Sequence, residues 1–255
     1  MIKEIFQSRK PLICYFMAGY PSVEDSIKTA FTLIENGADI LEVGFPFSDP
    51  VADGVTIQVA HEKAVKDGIT PEKVFQITKT IKEKYPNVPL IGMTYYNPIF
   101  RFGEENFCNR AKESGIDGFI VPDLPPEEGG NLKKVANRKG LSLIFLLAPT
   151  SNEERIKLVS KMSDDFIYYV SLTGITGERD TLPWDELKEK ITLIRKITDK
   201  KIAVGFGVSK GEHAKIISQI ADGVIVGSSV VKLQGKRDFE GLKNLVKELK
   251  SNIEA

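Results

Sequence analysis

The amino-acid sequence predicts an α/β protein, a (β/α)8 TIM barrel of eight parallel strands and their helices with an extra N-terminal helix. Three observations carry that expectation. Short β-branched runs alternate along the whole chain with longer segments of helical periodicity. Most of these runs are almost continuously apolar, the pattern of strands covered on both faces. A helix-turn-strand unit also recurs, since Gly37-Ala38-Asp39, Gly115-Ile116-Asp117 and Ile220-Ala221-Asp222 each close a helix and feed an apolar strand. Those strands then run into loops carrying Gly44, Pro122 and Gly227. The rival is an open doubly wound sheet whose strand order reverses at a crevice. Eight units in series without a linker favour closure. No Pro/Gly/Ser-rich or low-complexity stretch divides the chain, so residues 1–255 are expected to form a single TIM-barrel catalytic domain.

The elements follow in order. Met1–Lys10 is polar and amphipathic, with no apolar core of signal-peptide length. The candidate strands are Pro11–Ala18, Ile40–Val43, Pro89–Tyr95, Gly118–Val121, Ser142–Leu147, Phe166–Ser171, Lys201–Gly205 and Gly223–Val226. Between the first two, Val23, Ile27, Ala30, Phe31 and Ile34 fall on one helical face. Ser22 with Asp25, Ser151 with Glu154, and Ser209 with Glu212 resemble capping boxes that start helices. Thr70-Pro71 reads as an N-cap followed by proline at the first helical position. A further helix is expected near Thr56, and another near Pro183.

Composition narrows the function. Lys plus Arg and Asp plus Glu are each 35, so zero net charge points to neither nucleic acid nor an anionic membrane surface as partner. An anionic ligand would need a local site. Cys14 and Cys108 lack the spacing of a disulfide framework or a zinc site and read as reduced, semi-buried thiols. No apolar stretch has the length of a membrane span, and a cytoplasmic location is expected.

In such a barrel the chemistry belongs to the loops after the strands. Glu42 lies inside an apolar strand, where a charge is costly unless it faces a polar cavity. Two readings stand: an acid/base group whose pKa burial raises, or a strand-end carboxylate paired with Lys or Arg. Asp53 sits in a Gly- and Pro-rich loop, where a turn former or helix cap is a serious alternative to a site residue. The stretch Thr173–Asp180 is long for a βα connection, and a mobile lid and a merely floppy loop both fit. Gly205-Phe206-Gly207 and Gly227-Ser228-Ser229 follow the last two strands, where glycine-rich turns at helix N-termini favour a phosphate. His61 and His213 fall in predicted helices beside Lys or Glu and read as surface residues. No lysine is embedded in a strand interior, which disfavours Schiff-base chemistry.

The stretch Leu41-Glu42-Val43-Gly44-Phe45-Pro46-Phe47-Ser48-Asp49-Pro50-Val51-Ala52-Asp53-Gly54-Val55-Thr56-Ile57-Gln58 closely resembles the signature of tryptophan synthase α subunits. The likeness continues at Ala18–Pro21, Met93–Pro98, Pro122–Pro125, Ser171–Gly177, Gly205–Gly207 and Gly227–Ser229, covering essentially the whole chain. That resemblance implies a lyase that cleaves indole-3-glycerol phosphate to indole and glyceraldehyde 3-phosphate, late in tryptophan biosynthesis. It implies that Glu42 is the catalytic acid/base, Asp53 its carboxylate partner and Tyr168 a tyrosine near the site. Thr176 and Gly177 match a mobile loop, and Gly177, Gly207, Gly227 and Ser228 a phosphate cradle. Tyr15, Ile57, Tyr95 and Phe206 match the indole pocket, although the family usually carries Phe where Tyr15 stands. No metal or cofactor is implied in this chain. The implied partner is a pyridoxal-phosphate β subunit in an α2β2 complex, with Pro46, Asp49, Asn97 and Asp123 near the contact face. The alternatives are a stand-alone lyase releasing free indole and a non-catalytic activator of a β subunit. A sugar-phosphate isomerase or epimerase barrel would lack the Pro-Phe-Ser-Asp-Pro loop.

Overall fold

The computed structural model describes residues 1–170, 184–205 and 207–254. Among them nine strands form one parallel sheet in the order β5-β4-β3-β2-β1-β9-β8-β7-β6. The strands are β1 (Leu12–Met17), β2 (Ile40–Gly44), β3 (Leu90–Met93), β4 (Gly118–Ile120), β5 (Ser142–Ile144), β6 (Leu146–Leu147), β7 (Phe166–Val170), β8 (Lys201–Gly205) and β9 (Gly223–Val226). The two ends of that order, β5 and β6, are one strand interrupted at Phe145, so the sheet closes into an eight-stranded barrel. The interruption corrects the continuous strand expected over Ser142–Leu147. Its cause is local: Phe145 N–H donates to the Ser163 hydroxyl at 2.7 Å instead of to a neighbouring strand.

Among the described residues there are twelve helices: α1 (Ile2–Ser8), α2 (Val23–Glu35), α3 (Val55–Lys66), α4 (Pro71–Lys84), α5 (Tyr96–Phe102), α6 (Glu104–Glu113), α7 (Gly130–Arg138), α8 (Glu153–Met162), α9 (Trp184–Ile197), α10 (Gly211–Ile220), α11 (Ser228–Gly235) and α12 (Phe239–Glu254). Ser22 and Thr70 cap α2 and α4 as their sequences predict, accepting from Asp25 and Lys73 N–H. Two other caps differ. Asn152, not Ser151, caps α8, because Ser151 Oγ is engaged by Ala148 N–H at 3.0 Å. The helix expected from Ser209 starts at Gly211, whose N–H donates instead to Glu248 of α12 at 2.6 Å. Cys14 and Cys108 are free thiols and fully buried, deeper than expected.

The inner face of the barrel is built in layers. Ile13, Ile40, Ile91, Ile120, Ile144, Phe166, Ala203 and Ile225 form one cluster, which Ile2 and Phe6 of α1 close from below. Phe6 stacks on Phe166 with ring centroids 4.9 Å apart. The extra N-terminal helix therefore plugs the end of the barrel opposite the carboxyl ends of the strands, and residues two further along each strand face inward one layer higher.

The recurring Asp of the sequence acts as a lock between strands. Asp39 N–H donates to Leu12 O at 2.9 Å while its carboxylate accepts Leu12 N–H at 2.8 Å. Asp117 does the same with Leu90 at 2.8 and 3.0 Å, and Asp222 with Ile202 at 2.8 and 2.9 Å. Asp164 with Leu143, at 3.0 and 2.7 Å, is a fourth case without the Gly-Ala-Asp look. Each lock carries a cation: Lys250 on Asp39, Lys82 on Asp117, Lys133 on Asp164 and Lys201 on Asp222. The locks fall at the start of alternate strands and tie the ring in pairs. Replacing Asp117 by Ala leaves Leu90 N–H without its acceptor and should cost about 2–3 kcal/mol. Urea unfolding measures it, and a loss below about 0.5 kcal/mol, the size of a neutral surface change, would refute the lock.

Candidate active site

Strand register places the acidic group. β1 and β2 pair so that Ile13 faces Ile40 and Tyr15 faces Glu42. Glu42 thus stands one layer above the isoleucines, only 1% exposed, and among the described residues neither carboxyl oxygen has a hydrogen-bond partner. The reading of Glu42 as an ion-paired strand-end residue is overturned, because no Lys or Arg reaches it among the described residues. Burial, and then the charge of Asp53, push its pKa up to about 8. Tyr168 on β7 feels both Glu42 and Asp53, and burial plus those charges hold its hydroxyl protonated. Tyr15 is held protonated in the same way, with Asp53 the larger of the two charges. Two glycines make room for these rings: a Cβ on Gly205 would lie 2.7 Å from the Tyr168 hydroxyl, and one on Gly44 would strike the Tyr15 hydroxyl.

Asp53 is not a helix cap. Gly54 occupies the N-cap of α3, and no side chain caps that helix. The Asp53 carboxylate turns inward, where Oδ2 accepts the Tyr95 hydroxyl at 2.7 Å and faces His61 Nε2 at 3.2 Å. Tyr95, expected at the end of a strand, is the N-cap residue of α5 and stacks on Phe47 at 5.1 Å. His61 is the clearest correction: 2% exposed, it is no surface residue. A signal for this lay in α3 itself, where His61 joins Ile57, Ala60 and Ala64 on one helical stripe. His213 is half-buried and packs its ring on Trp184 at 5.5 Å, again inside the expected surface.

The remaining candidates converge from other strands. A Cβ on Gly227 would make ordinary contacts with Tyr15 Cβ at 3.7 Å and Ile57 Cδ1 at 3.8 Å, so all three border one space. Gly227 is the N-cap of α11 and Ser228 its first residue, with no side-chain cap on the leading N–H groups. Gly207 has φ +50°, a backbone that glycine adopts without strain. Ser229 Oγ donates to Val208 O at 3.0 Å and ties the two turns together. Backbone donors at a helix start suit an anion. Thr176, Gly177 and Phe206, together with the whole expected lid Thr173–Asp180 and Ser171, lie outside the described residues.

The four candidate partner residues also lie after strands. Asp49 and Asn97 are exposed and Pro46 is half-buried. Asp123 is exposed but structurally engaged, accepting Tyr96 N–H at 2.8 Å. Around them Val51, Val55 and Phe100 are 79%, 72% and 67% exposed. Among the described residues no three His, Cys, Asp or Glu are grouped as a metal site, and no helix is long and apolar enough to cross a membrane.

Comparison with known proteins fits this geometry. The family model described as tryptophan synthase alpha chain matches residues 2–255. The tryptophan synthase alpha chain of Aquifex aeolicus is 54% identical over 244 residues, covering 96% of this chain and 93% of that protein. The crystal structure of tryptophan synthase subunit alpha from Legionella pneumophila superposes with a TM-score of 0.91 at 31% identity, covering 99% and 98% of the two chains. A chain of Mycobacterium tuberculosis tryptophan synthase gives 0.92 at 34% identity, covering 100% and 98%.

The buried acid has a cost that pH reveals. With its pKa raised from 4.5 to about 8, native Glu42 keeps a proton that the unfolded chain releases. Its stability is fully present below about pH 4.5 and is lost as pH rises to about 8. Glu42→Gln should therefore stabilise the protein by a few kcal/mol at pH 8–9 and by almost nothing at pH 4. Denaturant titrations of both proteins across that range check this, and a pH-independent difference would contradict it.

Proposed function

The chain belongs to the tryptophan synthase alpha chain family, lyases that cleave indole-3-glycerol phosphate to indole and glyceraldehyde 3-phosphate, and we propose that Glu42 and Asp53 carry that cleavage between them. The observation that supports the pair most is a buried carboxyl group without a partner beside a second, well-supplied carboxylate. Bond cleavage between indole C3 and the glycerol carbon first needs a proton on C3. A carboxylic acid with a pKa near 8 still holds one at neutral pH. Protonation leaves positive charge on the ring nitrogen, and the Asp53 carboxylate stabilises it by accepting the ring N–H. Glu42, now a carboxylate, takes the proton of the adjacent hydroxyl. The C–C electron pair returns to the ring, indole leaves, and an aldehyde remains. The proton given is replaced by the proton taken. Tyr168 and Tyr15, held protonated, border the acid without competing for its role.

The phosphate is assigned to the N–H groups around Gly207, Gly227 and Ser228, with Gly177 contributing, and the ring to Tyr15, Ile57, Tyr95 and Phe206, with Thr176 in the covering loop. The route asks nothing of a metal or organic cofactor in this chain, since both steps are proton transfers; in this family pyridoxal phosphate belongs to the β subunit. One catalytic domain, residues 1–255, is proposed to dock on that β subunit in an α2β2 complex through the face holding Pro46, Asp49, Asn97 and Asp123. The exposed Val51, Val55 and Phe100 support it, since apolar groups clustered at one end are what a partner covers. The free buried thiols fit a reducing, cytoplasmic setting. A stand-alone lyase would share the site but not need that face, and a non-catalytic activator would not need Glu42.

Glu42→Gln keeps the shape and removes the proton donor, so indole release should fall by about 10³-fold or more. Near-normal turnover would reject the assignment. In the wild type, kcat/KM should decline above about pH 8, where the acid is lost. Adding a β subunit should raise the rate of the isolated chain, whereas unchanged turnover would favour the stand-alone lyase.

A further inference from the structure

We propose that His61 is the positioning residue that aims the Asp53 carboxylate at the indole N–H. This rests on the reading of Asp53 given above. His61 stands on α3, and its imidazole and the Asp53 carboxylate are each almost entirely buried, at 3% and 7% exposure. The main chain sets its tautomer: Phe47 N–H donates to Nδ1 at 3.0 Å. Nδ1 is thereby an acceptor, the ring proton sits on Nε2, and Nε2 lies 3.2 Å from Asp53 Oδ2, a close polar contact and not an aligned hydrogen bond. A hydrogen-bond donor meets the same oxygen. Ala52 N–H donates to the Tyr95 oxygen at 3.0 Å, and Tyr95 passes its own proton to Oδ2 at 2.7 Å.

Among the described residues the Tyr95 hydrogen bond and the His61 contact both fall on Oδ2. A carboxylate hydrogen-bonded by Tyr95 and backed by the His61 ring on the same oxygen is restricted in its rotamer, and its other oxygen, Oδ1, is left for the substrate N–H. A purely packing histidine would need neither a fixed tautomer nor a polar neighbour, and a buried imidazole could be replaced by Leu at a cost to stability alone. The three side chains are mutually wedged as well, with His61 meeting the Tyr95 ring edge-on at 6.2 Å and Tyr95 stacked on Phe47.

The test uses the full chain and indole release from indole-3-glycerol phosphate. His61→Leu should lower kcat about 10- to 100-fold while KM stays within about threefold, because the charge on the ring nitrogen develops only in the transition state. His61→Gln, whose amide nitrogen can stand where Nε2 stood, should recover to within about fivefold of wild type. His61→Asn can still accept Phe47 N–H but is too short to reach Asp53, and should match His61→Leu. On an Asp53→Asn background, His61→Leu should cost less than about twofold, since a residue acting through Asp53 has nothing left to position. Equal losses in both backgrounds would overturn the proposal, as would a folded His61→Leu with wild-type kcat. If His61→Leu does not fold, the Asn and Gln variants decide, and equal rates for the two overturn it. Near-normal turnover of Asp53→Asn by itself is a different result: it removes Asp53 from the chemistry, and the positioning role falls with it.

Discussion

Burying a carboxyl group without a hydrogen-bond partner works against folding, and the barrel does this at its centre with Glu42. The group is tolerated because it keeps its proton, and it keeps its proton because it is buried, with the charge of Asp53 nearby and no cation reaching it among the described residues. Each neighbour rests on a further local condition. The rings of Tyr15 and Tyr168 fit only because Gly44 and Gly205 lack side chains. Asp53 differs from Glu42 in having a hydrogen-bond donor, the Tyr95 hydroxyl. One carboxyl has no hydrogen-bond partner among the described residues, while the other accepts the Tyr95 hydroxyl and lies against the His61 ring.

Such a site needs a scaffold that does not relax around it. Four aspartates bind the backbone of one strand to the start of the next through paired hydrogen bonds, each with a cation behind it. They stand at the amino ends of the strands, and α1 fills the barrel at that end with Ile2 and Phe6. The carboxyl ends, where the acids lie, carry loops instead of locks. Stability is concentrated at one end of the barrel and chemistry at the other, and the isoleucine layer separates them.

The architecture was legible because its signals are periodic. Apolar runs marked the strands, and the recurring helix-turn-strand units ending in Asp39, Asp117 and Asp222 marked three of the four locks; the fourth, Asp164, follows Met162-Ser163 and escaped that pattern. Glu42 was legible as a site residue because a charge in an apolar strand has few explanations. Whether it was paired was not legible, since the answer depends on which cations the fold brings near. His61 was misread for a related reason. Its sequence neighbours Glu62 and Lys63 are charged and exposed, whereas its partners Phe47 and Asp53 are 14 and 8 positions away, so local composition pointed outward. Asp53 resembled a cap for want of any sequence sign that Tyr95, in the loop after the neighbouring strand β3, would engage its carboxylate.

The loop after β2 shows why one segment holds both a catalytic carboxylate and a proposed partner face. Phe47 and Ala52 donate their backbone N–H groups inward, to His61 and Tyr95, and those two side chains hold Asp53. Asp49 and Val51, between them, point outward. The inward and outward groups share one short stretch of main chain, anchored at both ends by the hydrogen bonds that orient the carboxylate. A partner resting on the outer face cannot move Asp49 or Val51 far without moving Phe47 or Ala52, and either movement changes a donor to the Asp53 relay.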